Sequence, residues 1–317
     1  MKKTFSLTLI FLLVLPALLS GGCREPTGDG QVELLIPPRV IAPKSYTELA
    51  DIFNRLDYDL DTLDRGVPPL LLQRFPPDMG RIPTVGEKKR LFYLGLLPMA
   101  LMLNEEIRLE RKRLQRILGR VSAKRPLSIV DRAFLDSLQQ AYHVRGDVLR
   151  SAAVREKLLR RVDMIPVELL LAQAANESAY GTSRFCLAAN NLFGEWTFVP
   201  GTGIVPEGRP AGETYEVRVF SSLYESLRSY ARNINTHWAY ESLRRERERL
   251  RREGLPLSGT QLAGGLHLYS TRRQAYVDDI RALIRHNRLE RLARSELRPS
   301  LRRKLYGRQD TLVAVAQ

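Results

Sequence analysis

The chain has 317 residues, of which 44% are hydrophobic, so it can bury the core of one large domain or two modest ones. Its two cysteines exclude a disulfide framework and a cysteine-based metal site. The formal net charge of +15 favours a polyanionic partner, which could be nucleic acid, an anionic cell-wall polymer or an anionic membrane surface.

Residues 1–23 predict an export signal. Two lysines precede an apolar run over residues 5–19, which has the length of a signal-peptide core and is too short for a membrane-spanning helix. The run is followed by "LSGGC", which resembles a bacterial lipoprotein signal with Cys23 as the acylated thiol. Ser20 stands where such signals usually carry Leu, so ordinary cleavage or a retained anchor is the alternative. We therefore expect an exported protein of the cell envelope, periplasmic and anchored through Cys23, with no nucleic-acid partner.

Composition divides the rest of the chain into three parts. Residues 24–83 carry many Gly and Pro residues around one short helical pattern, which predicts a tether and a small N-terminal appendage. Residues 84–290 contain the longest periodic patterns and are the predicted main domain. Residues 291–317 form a basic tail.

Helical periodicity dominates the main domain. Helices are predicted at residues 86–118, 128–142, 151–162, 166–181, 223–236, 240–253, 260–268 and 276–286. Pro98 should kink or divide the first of them. Between residues 190 and 220 the period vanishes, and "ETYEVRVF" predicts a strand after a turn. The predicted class is α+β, mostly α, with one small β-hairpin lobe beside a helical body, a plan in which a cleft can form.

Arginine supplies more of the positive charge than lysine and is concentrated at residues 108–116, 244–252 and 281–303. Each run also interleaves Glu and Leu at helical spacing. A run of this kind is either a solvated helix face or a surface for an anionic polymer. The sequence leaves both interpretations open.

Glu177 is the first candidate for chemistry. In the helix that begins at Pro166, apolar side chains between positions 167 and 178 form one stripe, and at about 100° per residue Glu177 lies beside Leu170 at its edge. Partial desolvation and the carbonyl dipoles of the helix end both disfavour a charged carboxylate. Such a carboxyl group suits general acid catalysis. The alternative is a surface glutamate that closes the helix.

Three ordered motifs carry a family resemblance. They are "LLLAQAANESAYGTSRF" around Glu177, then "NNLFGEW", then "YSTRRQAYVDDI". Together they resemble the glucosaminidase domain of bacterial peptidoglycan hydrolases, family seventy-three of the glycoside hydrolases, and within it the Bax-type subgroup. The similarity runs from about Gly86 to Leu289, roughly two thirds of the chain.

The resemblance implies a lysozyme-like fold and an endo-β-N-acetylglucosaminidase activity on peptidoglycan glycan strands. It implies that Glu177 protonates the glycosidic oxygen after N-acetylglucosamine. It also implies that Tyr269 of "YST" acts at the active site, where its phenol would steady the acetamido group or the developing oxocarbenium ion. The implied substrate-binding positions are Asn190, Asn191 and Phe193 of "NNLFG", and Thr271 of "YST".

Aromatic residues near these motifs allow two interpretations. Trp196 offers a face on which a sugar could stack, although burial in the core fits equally well. Tyr276 is interpreted as a packing residue. For Asn190, Asn191 and Phe193, the alternative to substrate binding is a turn with a packed aromatic side chain.

The second carboxylate is less well defined. Glycosidases usually pair an acid with a base or nucleophile. Glu216 in "TYEV" best matches the family's Thr-x-Glu on the β lobe and is the predicted partner, and Glu213 is the nearby alternative at the substrate. Strand alternation would direct the two to opposite faces. The short hairpin also leaves an acetamido-assisted mechanism open, in which no protein nucleophile is needed.

No cofactor is expected. The four histidines are scattered without metal-ligand spacing, so no catalytic metal is predicted. A lytic transglycosylase or muramidase also uses a glutamate followed by serine at a helix end, and is the alternative enzyme. The alternative from another class is a non-catalytic peptidoglycan-binding lipoprotein. The oligomeric state is not predicted.

Overall fold

A computed structural model describes residues 38–298. The predicted signal at residues 1–23, its Cys23, most of the tether and the end of the basic tail lie outside the described residues. The described part belongs to one structural unit. Its α-helices are α1 (Tyr46–Arg55), α2 (Val85–Ser122), α3 (Ile129–Ala141), α4 (Ala152–Arg161), α5 (Val167–Ser178), α6 (Arg184–Ala189), α7 (Leu223–Thr236), α8 (Glu241–Arg252), α9 (Gly259–Leu262), α10 (Gln274–His286) and α11 (Leu289–Leu292).

Two small sheets accompany the helices. β1 (Arg39–Ile41) and β2 (Leu70–Leu72) pair in parallel. The strands β3 (Trp196–Thr197), β4 (Gly203–Ile204) and β5 (Glu216–Arg218) form an antiparallel sheet with β5 in the centre. Short 3-10 helices lie at Leu63–Arg65, Met79–Arg81, Trp238–Tyr240 and Ala263–Leu266. The mostly helical α+β class is confirmed.

The β lobe has one strand more than a hairpin. Thr197 pairs with Glu216 on one side of β5, and Ile204 pairs with Val217 on the other side. The strand predicted over residues 213–220 is regular only at Glu216–Arg218, because the residues before it form a turn.

Polar side chains begin most of the long helices. The Thr84 hydroxyl accepts the Glu87 N–H at the start of α2, and the Ser128 hydroxyl accepts the Asp131 N–H at the start of α3. The predicted cap at Ser128 is confirmed.

The long helix α2 is not divided at Pro98. Proline lacks the N–H that would bond the carbonyl of Leu94, four residues earlier. The buried Tyr58 hydroxyl donates to that carbonyl at 3.1 Å. A side chain from the N-terminal segment thus replaces the missing helical hydrogen bond, and the helix continues.

The central helix is α5, which packs against α2, α10 and α11. The sequence predicted a single apolar stripe, but every residue of Val167–Ala175 is buried, including Glu168 and Gln173. Helices that are covered on all sides place their polar side chains in hydrogen bonds, and the Glu168 carboxylate accepts the Gly259 N–H at 2.6 Å. This burial fixes the helix that carries Glu177.

The segment before residue 84, which the sequence separates as tether and appendage, packs into the same core as α5. Leu49, Phe53, Leu72 and Phe75 are each at most 1% exposed within that core. At the other end, the Arg298 guanidinium donates to the carbonyl of Gly66 at 2.9 Å. The described part of the basic tail is therefore also docked on the body. None of the helices in residues 38–298 has the length and apolarity needed to cross a membrane.

Two of the six arginines in the run at residues 244–252 lie in the interior, while Arg245, Arg251 and Arg252 are exposed. Arg244 and Arg247 are fully buried. Asp163, which is 2% exposed, lies 2.9 Å from Arg251, 3.6 Å from Arg111 and 3.7 Å from Arg247. Burial raises the pKa of Asp163, but the three guanidinium groups outweigh burial and the pKa is lowered. Neither interpretation of this run from sequence included a buried ionic network.

Candidate active site

Glu177 lies in the last turn of α5 and is half-buried. The helix ends one residue later because Ala179 and Tyr180 take left-handed conformations, with φ of 49° and 57°. The Ser178 hydroxyl accepts the Gly181 N–H at 2.9 Å and closes this turn. Because the chain reverses here, Glu177 lies at the end of a buried helix and part of the Glu177 side chain is exposed to solvent.

Hydrogen bonds fix one oxygen of the Glu177 carboxylate. Oε1 accepts the Tyr276 hydroxyl at 2.7 Å and the Asn176 side-chain amide at 3.1 Å. Within residues 38–298, Oε2 accepts no hydrogen bond and Glu177 forms no ion pair. One oxygen is thus held by neutral donors while the other is free to exchange a proton.

The hydrogen bond from Tyr276 to Glu177 is the last of three consecutive hydrogen bonds between side chains. The Tyr230 hydroxyl donates to Gln173 Oε1 at 2.6 Å, Gln173 Nε2 donates to the Tyr276 hydroxyl at 2.9 Å, and Tyr276 donates to Glu177. Gln173 is fully buried and Tyr276 is 2% exposed. Tyr276 is therefore more than the packing residue that the sequence suggested. A buried tyrosine needs a partner for its hydroxyl, and that requirement is the signal that could have identified it.

Tyrosine rings line one side of the carboxylate. Tyr269 stacks on Tyr276 with ring centroids 5.1 Å apart, and Tyr240 lies 5.9 Å beyond Tyr269. Burial raises the pKa of all three phenols, and the charge on Glu177 raises it further; for Tyr240 the pKa is about 12. The rings therefore stay neutral and can form hydrogen bonds with, or stack beside, whatever Glu177 contacts. The predicted site residue Tyr269 is half-buried in this row, and Thr271 is exposed in the turn before α10.

The Glu216 carboxylate is held within the β lobe by backbone hydrogen bonds. Its two oxygens accept the N–H groups of Gly201 at 3.0 Å and Gly203 at 2.8 Å. These backbone hydrogen bonds lower its pKa. Glu216 thus holds the β3–β4 turn against β5, and it would have to release an amide to act on a substrate.

The other predicted lobe residues are exposed. Glu213 lies in the turn before β5, outside any strand, so strand alternation does not govern its direction. Trp196 is 55% exposed and stacks on Tyr215 with centroids 4.3 Å apart. Of the two interpretations of Trp196, the accessible ring is the one that the structure fits.

The "NNLFG" residues build the turn between body and lobe. Asn191 is 1% exposed; its amide donates to the carbonyls of Glu195 and Arg218 and its oxygen accepts the Glu195 N–H. The Asn190 amide donates to the Phe220 carbonyl at 3.1 Å. Phe193 is 6% exposed and stacks on Tyr230. In these positions the three side chains hold the turn that joins the body to the lobe, which fits the turn with a packed aromatic side chain.

Glu195 is a carboxylate that the sequence reasoning missed. Its Oε2 accepts the Ser229 hydroxyl at 2.7 Å, while its buried Oε1 has no hydrogen-bond partner among the described residues. Burial raises its pKa, although the Ser229 hydrogen bond and the Arg218 charge oppose this. Its charge, like that of Glu177, raises the pKa of Tyr240. The only sequence signal was its place directly after "NNLFG". The part of the chain that the structure describes holds no group of three or more His, Cys, Asp or Glu residues suited to a metal.

Comparison with known proteins connects this geometry to a family. Residues 152–289 match the family model described as "Glucosaminidase: Mannosyl-glycoprotein endo-beta-N-acetylglucosaminidase". "Protein bax" of Escherichia coli (strain K12) is 30% identical over 213 residues, which cover 67% of this chain and 74% of that protein. No solved structure matches the chain significantly. The matched range begins at α4 and ends at α11, so it includes Glu177, the β lobe and the tyrosine row.

Proposed function

The chain belongs to the glucosaminidase family, in its Bax-type branch, and we propose that it hydrolyses the glycosidic bond after N-acetylglucosamine in peptidoglycan, with Glu177 as general acid. The family itself is one of glycoside hydrolases. The substrate bond, the catalytic residue and the cellular location are the parts that we add.

The surroundings of Glu177 carry the proposal. A general acid must hold a proton, deliver it to the leaving oxygen and recover it. Glu177 meets neutral donors on Oε1 and no cation, and its Oε2 has no competing partner within residues 38–298. The buried Tyr276 fixes the direction of the carboxyl group. A surface glutamate that merely closed a helix would need no such support.

The reaction can then follow one of two routes. In the first, a protein carboxylate assists Glu177. Glu216 takes this role after one of its oxygens releases the Gly201 or Gly203 N–H; that oxygen then either accepts a proton from the attacking water or attacks the anomeric carbon of the sugar. In the second, the substrate's own acetamido group attacks the anomeric carbon, and a tyrosine of the row, such as Tyr269, steadies it. Glu216→Gln separates the two, because the first route loses its nucleophile or base and the second keeps its chemistry.

We also propose that the protein is exported and works in the cell envelope, anchored through a lipid on Cys23. The lysine-flanked apolar run and the "LSGGC" sequence support this, and both lie outside the described residues. The excess of positive charge is consistent with an anionic wall polymer as substrate.

Analysis of digested wall tests the activity. We expect the protein to release fragments with reducing N-acetylglucosamine ends, detected by mass spectrometry. Glu177→Gln should lower kcat by about 10²–10⁴-fold, the usual contribution of general acid catalysis. Glu156→Gln, at an exposed position on α4, is the matched control and should cleave like the wild type.

The alternatives give other products. Anhydro-muramic ends would identify a lytic transglycosylase, and muramic reducing ends a muramidase. A protein that binds the wall but releases nothing, with or without Glu177, would be a non-catalytic wall-binding lipoprotein. Equal clearing by wild type and Glu177→Gln would remove Glu177 from the mechanism.

A further inference from the structure

A row of aromatic rings leads from the candidate acid to the protein surface. It begins at Tyr276, which bonds Glu177, and continues through Tyr269, Tyr240, His237 and Trp238. Successive centroids are 5.1, 5.9, 5.7 and 5.5 Å apart. The row joins three separate parts of the chain, so its continuity is a product of the fold.

The two ends of the row differ in exposure, and the half-buried Tyr269 lies between the buried rings of Tyr276 and Tyr240. Tyr276 is 2% exposed, Tyr240 is 7% exposed and Trp238 is 72% exposed. An isolated exposed aromatic ring needs no explanation. A largely exposed indole at the outer end of such a row does need one, because the inner end of the row bonds the candidate catalytic group.

The outer end of the row is held firmly. Trp238 begins the short 3-10 helix Trp238–Tyr240, whose start is capped by His237 Nδ1 accepting the Ala239 N–H. The His237 carbonyl accepts the Arg244 guanidinium at 2.8 Å, and Arg244 is fully buried. A large ring on a fixed backbone loses little conformational freedom when it binds a ligand.

We propose that His237 and Trp238 form a distal saccharide subsite that binds the glycan strand several rings away from Glu177. The inference rests on the proposed function, since it assumes a glycan substrate. Pyranose rings present flat C–H faces that pack on aromatic rings while their hydroxyl groups stay in water. An exposed indole beside the exposed, polar His237 ring offers that mixture of surfaces.

A length of glycan that reaches both the acid and Trp238 gains contacts that a short fragment lacks. The subsite should therefore act on binding and not on the chemical step. Long strands should have a lower KM than short fragments, and the difference should depend on the ring at position 238.

Kinetics provide the first test, with peptide-free glycan strands as the probe. Trp238→Ala should raise KM for long strands by about ten-fold with kcat unchanged, the scale of one lost aromatic contact. Trp238→Phe keeps a ring and should recover most of the affinity. Because Trp238 is exposed, both variants should have the thermal unfolding midpoint of the wild type, which shows that folding is not the cause.

Fluorescence provides the second test, because Trp196 and Trp238 are the only tryptophans in the chain. In the full chain carrying Glu177→Gln and Trp196→Phe, Trp238 is the sole indole. Glycan strands should change its emission in a saturable way. The matched protein with Glu177→Gln and Trp238→Phe reports Trp196 on the β lobe instead.

The outcomes separate the two proposals. If the wild type cleaves strands while Trp238→Ala has an unchanged KM and the sole Trp238 gives no emission change, the subsite is refuted and the proposed function stands. If strands change Trp238 emission but no protein cleaves them, the subsite stands and the hydrolase proposal fails. If strands are neither bound nor cleaved, both fail.

Discussion

Asp163 lies among three arginines, whereas Glu177 lies among four tyrosines. Asp163 is almost fully buried and paired with Arg111, Arg247 and Arg251. Glu177 is half-buried, its charge acts on Tyr230, Tyr240, Tyr269 and Tyr276, and it forms no ion pair in residues 38–298. The two carboxyl groups lie in the same structural unit, but Asp163 is held by charged guanidinium groups and Glu177 by neutral hydrogen-bond donors.

The difference distinguishes a carboxylate with a structural role, Asp163, from a candidate catalytic carboxyl group, Glu177. Guanidinium groups hold Asp163 ionised, which joins α2 and α8 through a permanent network. A group that must gain and lose a proton cannot be held in this way. Neutral phenols orient Glu177 without choosing its charge state, and variants of the two surroundings should have different consequences.

The largest expected effect on stability comes from Asp163→Asn. The change leaves buried Arg247 without its compensating charge, so the free energy of unfolding should fall by about 3–5 kcal/mol. Chemical denaturation at neutral pH measures this. Asp61→Asn removes an exposed ion pair with Arg291 and should change stability by about 0.5 kcal/mol or less. Glu177→Gln should also unfold like the wild type; a loss as large as that of Asp163→Asn would end the distinction between the two regions.

Tyr276→Phe should have the next largest effect. It deletes the hydroxyl that donates to Glu177 and accepts from Gln173. Leaving Gln173 Nε2 unpaired should lower stability by about 1–3 kcal/mol, and loss of the bond to Glu177 should lower kcat about ten-fold. Chemical denaturation and steady-state kinetics measure the two losses.

Tyr230→Phe is the matched control for that change. It removes a buried hydroxyl that donates to the same Gln173 but does not contact Glu177. Its loss of stability should be similar, while its kcat should stay close to that of the wild type. Equal losses of kcat in both variants would show that Tyr276 has only a structural role.

The sequence predicted most of the helical body, because helix periodicity and N-caps are local. The N-cap at Ser128 was predicted from adjacent residues, and the end of α5 was placed at Gly181, three residues beyond its last helical residue, Ser178. The support for Pro98 could not be predicted in this way, because Tyr58 reaches Leu94 only after the chain has folded. The placement of the segment before residue 84 in the main core is non-local for the same reason.

The candidate site was predicted less completely. Glu177 could be found from its place at the end of an apolar helix. The Tyr276 contact joins residues 99 positions apart, and the occupation of Glu216 by Gly201 and Gly203 depends on how the lobe closes. Sequence patterns give residue types and faces, but they do not show which hydrogen bonds a carboxylate has already made.

Substitution of Glu195 should have the smallest effect on the free energy of unfolding. Its pH dependence tests how the surroundings of a carboxylate, charged as at Asp163 or neutral as at Glu177, determine its role. Burial raises the folded-state pKa of Glu195 above that of the unfolded chain, which is about 4.3. The folded protein then binds a proton that the unfolded chain releases, so wild-type stability falls as pH rises through this window and stays lower above it. Asp163 has a lowered pKa, and its contribution is present above the unfolded pKa and lost as pH falls.

Glu195→Gln and Asp163→Asn should therefore respond to pH in opposite directions. Gln cannot ionise, so the stability of Glu195→Gln relative to wild type should improve as pH rises above about 4.3, the pKa of Glu in the unfolded chain; its oxygen can still accept the Ser229 hydroxyl. Relative to wild type, Asp163→Asn should worsen as pH rises towards about 4, the pKa of Asp in the unfolded chain, and stay level above it. Urea unfolding at several pH values on both sides of about pH 4 measures both differences. Slopes of the same sign would mean that the partners of Glu195 hold it as a charge, as the arginines hold Asp163.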